Sequence, residues 1–191
     1  MTPRYLFFDT ETTGTGNDHC IWQIAGRIYD LEKREVLKEF NFKMCPARTD
    51  NVSPKALEVG GITLEEMKTY PPQREVFKKF MAMLDGTVDK FNKKDKLFMA
   101  AYNAKFDERM LRNWFAQNGE RYFGSYFFNG AVDVMALAAN HLRNQRHEME
   151  NFKLETVALH LGVADASTEW HDAAYDIEAT FQVWAKIDSD G

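Results

Sequence analysis

Apolar and polar positions fall along this chain in short blocks that read as strands first and helices later. Tyr5-Leu6-Phe7-Phe8 is a continuous apolar run, the pattern of a strand buried on both faces. Residues 21–29 read as a second strand. The stretch 35–44 alternates through Phe40, Phe42 and Met44, which predicts a strand with one exposed face. Two helix starts follow. Ser53-Pro54 is a cap followed by proline, and Thr63-Leu64-Glu65-Glu66 is a capping box. Val76, Phe77, Phe80 and Leu84 share one side of a helix over 73–84, and a polar, lysine-rich stretch covers 85–96. Leu97 to Ala101 reads as another buried strand, and a helix over 105–118 buries Phe106, Met110, Leu111 and Trp114. Ala131-Val132-Asp133 is a short strand leading into a helix. Leu154, Val157, Ala158 and Leu161 mark one more helix, ended by Gly162. The last helix runs from Asp172, with Ile177, Phe181 and Trp184 at core spacing. Successive strands followed by alternating strands and helices predict an α/β fold, a mixed sheet covered by helices, in a single domain over 1–191.

Composition narrows the class. An apolar fraction of 45% with 15 Phe and 4 Trp among 191 residues supplies a sizeable core, and a charged fraction of 28% suits a globular chain. No window approaches the ~20 apolar residues of a membrane span. The start, Met1-Thr2-Pro3-Arg4, runs straight into a strand and does not resemble a signal peptide, so the expected location is cytoplasmic, with no membrane partner. Cys20 and Cys45 lie where two hairpin strands bring them roughly opposite each other, which leaves a cross-strand disulfide open, although in a cytoplasmic chain they read as reduced thiols. The net charge of −5 argues against an extended nucleic-acid footprint. It leaves room for an enzyme that holds only a strand end, where bound cations supply positive charge.

The candidate chemistry lies in carboxylates. Asp9 and Glu11 are spaced i, i+2 at the end of the first strand, and extended geometry turns both to one face. Asp107 falls in the first turn of the helix after the fourth strand, and Asp176 in the first turns of the last helix, where each could simply answer the helix dipole. His171 precedes that last helix. Together they form D-x-E, then N-x-x-x-D from Asn103, then H-x-x-x-x-D. A donor set this rich in oxygen suits Mg²⁺ or Mn²⁺ rather than zinc.

With these motifs in this order, the sequence resembles the DEDDh family of 3′→5′ exonucleases. The resemblance rests on Phe7-Phe8-Asp9-Thr10-Glu11-Thr12-Thr13-Gly14, Tyr102-Asn103-Ala104-Lys105-Phe106-Asp107 and His171-Asp172-Ala173-Ala174-Tyr175-Asp176. Weaker echoes lie at Gly61-Ile62-Thr63, Val132-Asp133, Lys153-Leu154 and Leu161-Gly162, so the match spans residues 4 to 187. It implies a ribonuclease H-like fold with a mixed five-stranded sheet flanked by helices. It implies two divalent cations, Mg²⁺ or Mn²⁺, held by Asp9, Glu11, Asp107 and Asp176, with His171 as general base. The implied reaction is hydrolysis at the 3′ end of single-stranded or frayed DNA, releasing nucleoside 5′-monophosphates. Thr12, Thr13, Gly14 and Asn103 are the implied contacts to the terminal nucleotide, and Asp133 reads as a helix cap. Two positions depart from common family patterns: Gly60 and Tyr102 each stand where many members carry histidine.

The motifs leave two rivals open, an RNA-trimming exoribonuclease or oligoribonuclease and a non-catalytic nucleic-acid-binding domain. Trp22, Tyr70, Phe123 and Tyr126 are candidate stacking rings that read equally as ordinary aromatics. Lys90, Lys93, Lys94 and Lys96 could guide a strand or simply be solvated, as could Arg143 and Arg146. The expected partner is a single-stranded 3′ end. A homodimer and a polymerase or repair partner stay open. No tail follows the last helix, so the chain reads as a free-standing catalytic domain.

Overall fold

The computed structural model describes residues 2–164, 170 and 173–190. In chain order the elements are β1 (Arg4–Thr12), β2 (Ile21–Asp30), β3 (Glu35–Lys43), α1 (Pro54–Val59), α2 (Leu64–Met67), α3 (Gln73–Asp85), β4 (Leu97–Ala101), α4 (Ala104–Gln117), α5 (Phe123–Tyr126), β5 (Val132–Asp133), α6 (Val134–His141), α7 (Leu154–His160) and α8 (Ala173–Asp190). The strands form one five-stranded sheet in the order β3-β2-β1-β4-β5. The three N-terminal strands pair antiparallel, and β1–β4 and β4–β5 pair parallel, giving the mixed sheet expected.

Alternation along β1 assigns its two faces. Leu6 and Phe8 point into a core with Val76, Phe77 and Phe80 of α3 and Met110, Leu111 and Trp114 of α4. Phe7 points the other way, with Ala25 and Ala100, against Val134 of α6, Val157 of α7 and Ile177 and Trp184 of α8. A fully buried strand needs apolar side chains on both faces, which is why its sequence runs apolar without a break. Rings fasten α8 to β1: Phe7 meets Phe181 edge-on at 5.2 Å and Trp184 at 5.1 Å between centroids. Arg27 of β2 adds a clamp, with Glu39 on one side at 2.7 Å and Glu178 of α8 on the other at 2.6 Å.

Several local signals act differently from expectation. β1 continues through both acidic residues to Thr12, because β2 pairs with it as far as Thr12 opposite Ile21. Ser53 makes no side-chain cap bond; its amide instead donates to the Thr13 carbonyl. Thr63 does cap α2 by accepting from Glu66 N, but the Glu66 carboxylate takes the Tyr70 hydroxyl at 2.7 Å, so only half of the box forms. Gly162 follows α7 at φ +69, the left-handed ending its sequence implied. Cys20 is buried, Cys45 is half-buried, and both are free thiols. Among the described residues no helix is long and apolar enough to cross a membrane.

Candidate active site

Asp9 and Glu11 project from the α8 face of β1, on the row that Phe7 begins, and the first turn of α8 brings Asp176 to them. One carboxylate oxygen from each of Asp9, Glu11 and Asp176 lies within 4.8 Å of the other two, and all three residues are half-buried. Carboxylates gathered this closely disfavour one another's charge unless a cation lies among them. An all-oxygen donor set at this separation fits a hard divalent cation.

Asp107 is not in that group. It is buried, 3% exposed, on α4 at the other face of β1. There one of its oxygens accepts both the Thr10 hydroxyl, at 2.7 Å, and the Thr10 amide, at 3.0 Å. Thr10 lies between the two acidic residues in the chain, and alternation turns it towards α4. Burial pushes the Asp107 carboxyl up to about 7, the bonds from Thr10 pull it back, and the nearby Asp133 charge adds to the rise.

Beyond β1 the chain forms a strap over residues 12–19. The Thr12 hydroxyl donates to the Gly14 carbonyl at 3.0 Å, and the Cys20 amide donates to Thr13 Oγ1 at 3.0 Å. His19 lies flat against Gly14, where a Cβ would meet its ring at 2.4 Å, and its Nδ1 is 3.2 Å from Thr13 Oγ1. What Gly14 admits is therefore the His19 ring. The strap and α1 wall a cleft of about 400 Å³ that borders Glu11, Thr12 and Gly14 and has Lys55, Val59 and Phe106 on its far side.

The remaining expected residues divide. Asn103 is exposed, in left-handed conformation at φ 62, at the start of α4. Its amide donates to Asp133 Oδ1, and Asp133 caps α6 by accepting from Met135 N and Ala136 N, the structural part read for it in the sequence. His171 lies outside the described residues. Tyr102, the first departure from the family pattern, donates its hydroxyl to the Phe152 carbonyl at 2.9 Å, and burial raises its pKa. Gly60, the second, ends α1 beneath the Trp22 ring, which a Cβ would meet at 2.9 Å. Of the candidate stacking rings, Trp22, Phe123 and Tyr126 are buried in the core, and Tyr70 is half-buried.

The lysines of 85–96 sit far from this site. β1 and β4 run parallel with Arg4 opposite Leu97, so that loop enters the sheet at the end from which β1 starts. Asp9 lies five residues further on, about 17 Å at strand rise. Lys90 is paired there with Asp85 at 2.9 Å.

Sequence reasoning passed over Thr10, His19, Lys55, Val59 and Phe106. Thr10 alone carried a signal, because strand alternation puts a residue between two same-face carboxylates on the opposite face. His19, five residues past Gly14, has no periodic relation to the strap it packs on.

Comparison with known proteins gives one consistent picture. The pattern of the RNase T exonuclease family matches residues 6–184. DNA polymerase III PolC-type of Thermotoga petrophila is 27% identical over 185 residues, which span 96% of this chain and 12% of that protein. DNA polymerase III subunit epsilon of Pasteurella multocida is 25% identical over 197 residues, spanning 96% of this chain and 70% of that one. Among solved structures, the zinc-ion-bound complex of E. coli exonuclease I with single-stranded DNA superposes at TM-score 0.76 with 23% identity. That superposition covers 100% of this chain and 41% of exonuclease I, a likeness of fold.

Proposed function

This chain belongs to the RNase T exonuclease family, and on that premise we propose that it hydrolyses DNA one nucleotide at a time from the 3′ end of single-stranded or frayed strands, releasing nucleoside 5′-monophosphates. The observation that carries the reading is the convergence of Asp9, Glu11 and Asp176 within 4.8 Å beside a cleft of about 400 Å³. Relatives named as DNA polymerase III proteins, and the DNA complex of exonuclease I, favour DNA over RNA.

Asp9, Glu11 and Asp176 would hold a divalent cation, with Asp107 as the fourth carboxylate of a two-cation set of Mg²⁺ or Mn²⁺. Such ions, when bound, neutralise the phosphate and lower the pKa of an attacking water. The protein's own groups do the rest. His171 takes the proton from that water, a task suited to a side chain titrating near neutrality. Thr10 holds Asp107 against rotation by two hydrogen bonds. Thr12 and Gly14 of the strap would give the terminal nucleotide a rigid wall, while Thr13, expected to touch it, is buried behind them and braces the strap through the Cys20 amide and His19. Asn103 faces the strand as it arrives.

The test is a gel assay on 5′-labelled single-stranded DNA and RNA of equal sequence in Mg²⁺ or Mn²⁺. A ladder shortening from the 3′ end, faster on DNA and absent with chelator or in Asp9→Ala, is the expected result. Cleavage of RNA alone would move the assignment to an exoribonuclease. Folded protein that cuts neither strand would remove the activity altogether.

A further inference from the structure

A chain of net charge −5 that acts on a polyanion needs a local patch of opposite sign. The lysines of 85–96 are not that patch, being at the far end of the sheet. α4 carries another. Lys105, Arg109 and Arg112 stand at i, i+4 and i+7, a spacing that puts three cations on one helical face. They line a groove of about 560 Å³ that starts at Asn103 and Phe106 and reaches Asn113. Phe106 also borders the cleft beside Glu11 and Thr12, so groove and cleft share a wall. Among the described residues Glu108 is the one acidic residue lining the groove, and its carboxylate is already taken by Arg112 at 2.7 Å and by the Ala131 amide at 3.1 Å.

The cations are held in place. Arg109 donates to Asn17 Oδ1 at 2.6 Å and to the Thr15 carbonyl at 3.0 Å, and lies over the Phe106 ring at 5.3 Å. Arg112 stacks on Phe123 at 4.1 Å. Lys105 is exposed. From Lys105 to Arg112 the helix rises about 10 Å. That length matches about three phosphates at the ~3.4 Å spacing of a stacked strand.

We propose that the α4 groove, through Lys105, Arg109 and Arg112, binds the backbone phosphates of the strand upstream of the 3′ terminus. This rests on the exonuclease reading and adds to it a second subsite, one that recognises phosphate and not base. It lets an acidic protein hold a strand by a short track instead of a wide footprint.

The test is fluorescence anisotropy with 5′-fluorescein dT10 and rU10, each with a nuclease-resistant 3′-terminal phosphorothioate, in Mg²⁺ over a salt series. Each phosphate contact to a single strand contributes about 0.7 to the slope of log affinity against log salt. Lys105→Gln with Arg112→Gln is expected to make that slope shallower by ~1.4, so that raising salt fourfold costs the variant ~7-fold less affinity than it costs the parent. Asn113→Lys, which adds a cation to the same groove, gives up the Asn113 bond to the Asn17 carbonyl and leaves the Arg112–Glu108 pair in place, is expected to steepen the slope by ~0.7. Lys105→Gln by itself changes an exposed side chain and keeps the test sound if the double variant folds poorly. Ribose and deoxyribose strands carry the same phosphates, so both probes should respond alike; a response confined to one overturns a phosphate track. Unchanged slopes in all variants, with normal binding by the parent, also overturn the groove while leaving the exonuclease reading intact. A parent that binds neither probe sinks both.

Discussion

Thr10 separates Asp9 from Glu11 in the chain, yet it works on the other side of the sheet. Its two hydrogen bonds go to Asp107, which lies outside the group of three converging carboxylates. The linkage that follows has a definite sign. The folded carboxyl titrates at about 7, above the ordinary 3.8, so the folded state binds the proton more tightly than the unfolded chain. That stabilisation is full below about pH 4 and is lost as pH rises through about 7. Asp107→Asn removes the loss. Without cations, its melting temperature should exceed the parent's at pH 8, by ~2–4 °C for each kcal/mol regained, and match it near pH 4. Equal melting curves at pH 8 would mean that the buried carboxylate is not under strain. For chemistry, His171→Ala should keep cation binding and lose ~10²–10⁴-fold in turnover. A variant near parental rate would end the general-base assignment. Gly14→Ala drives a methyl into the His19 ring at 2.4 Å, so the strap must shift. The expected signature is a raised KM with a lowered melting temperature, and His19→Ala in the same chain should restore part of both.

At the scale of elements, the site is a junction. β1 supplies two carboxylates and α8 supplies the third, and what sets their separation is the ring packing between the two. Trp184 is 8% exposed and touches Phe7, Tyr5 and Tyr29. Trp184→Ala should cost ~3–5 kcal/mol of stability. Because α8 also loses its fix on β1, cation affinity should fall although no ligand has changed. Calorimetry of Mn²⁺ binding on the folded variant checks this; an unaltered affinity would show that Phe181 and the Arg27 clamp to Glu178 hold the helix without Trp184. The same logic explains Gly60 and Tyr102. Neither lines the cleft, and each makes a local contact instead, Gly60 under Trp22 and Tyr102 on the Phe152 carbonyl.

At the scale of the whole molecule, a cation bound only by the folded state must stabilise it. At a free concentration 100 times its Kd, a divalent ion adds about 2.7 kcal/mol. Mg²⁺ or Mn²⁺ should therefore raise the melting temperature of the parent, and Asp9→Ala should abolish the rise. A cation-induced shift that survives in Asp9→Ala would place the ion elsewhere. The uneven charge of the molecule has a related consequence. Acidic groups gather at the C-terminal end of β1, and the cations of α4 line a groove that shares Phe106 with the cleft there, so a strand held in that groove would be drawn in from one side.

What the sequence determined by itself was everything encoded at short range or in fixed order. Apolar runs assigned β1, β4 and the core faces of α3, α4 and α8. The i, i+2 spacing put Asp9 and Glu11 on one face, and the order of three motifs identified the family and its mixed sheet. Tertiary structure alone decided which carboxylate turns where and what fills each gap. Asp107 meets Thr10 across 97 residues of chain, and Arg109 meets Asn17 across 92. His19 meets Gly14 just ahead of β2, and Trp22 meets Gly60 from within it. Such contacts depend on strand register and helix packing, which arise from the sum of many weak burials and leave no local period in the sequence. The basic face of α4 was written in the chain as plainly as the lysines of 85–96. Only the parallel pairing of β1 with β4 put the first beside the cleft at Glu11 and Thr12 and the second at the opposite end of the sheet.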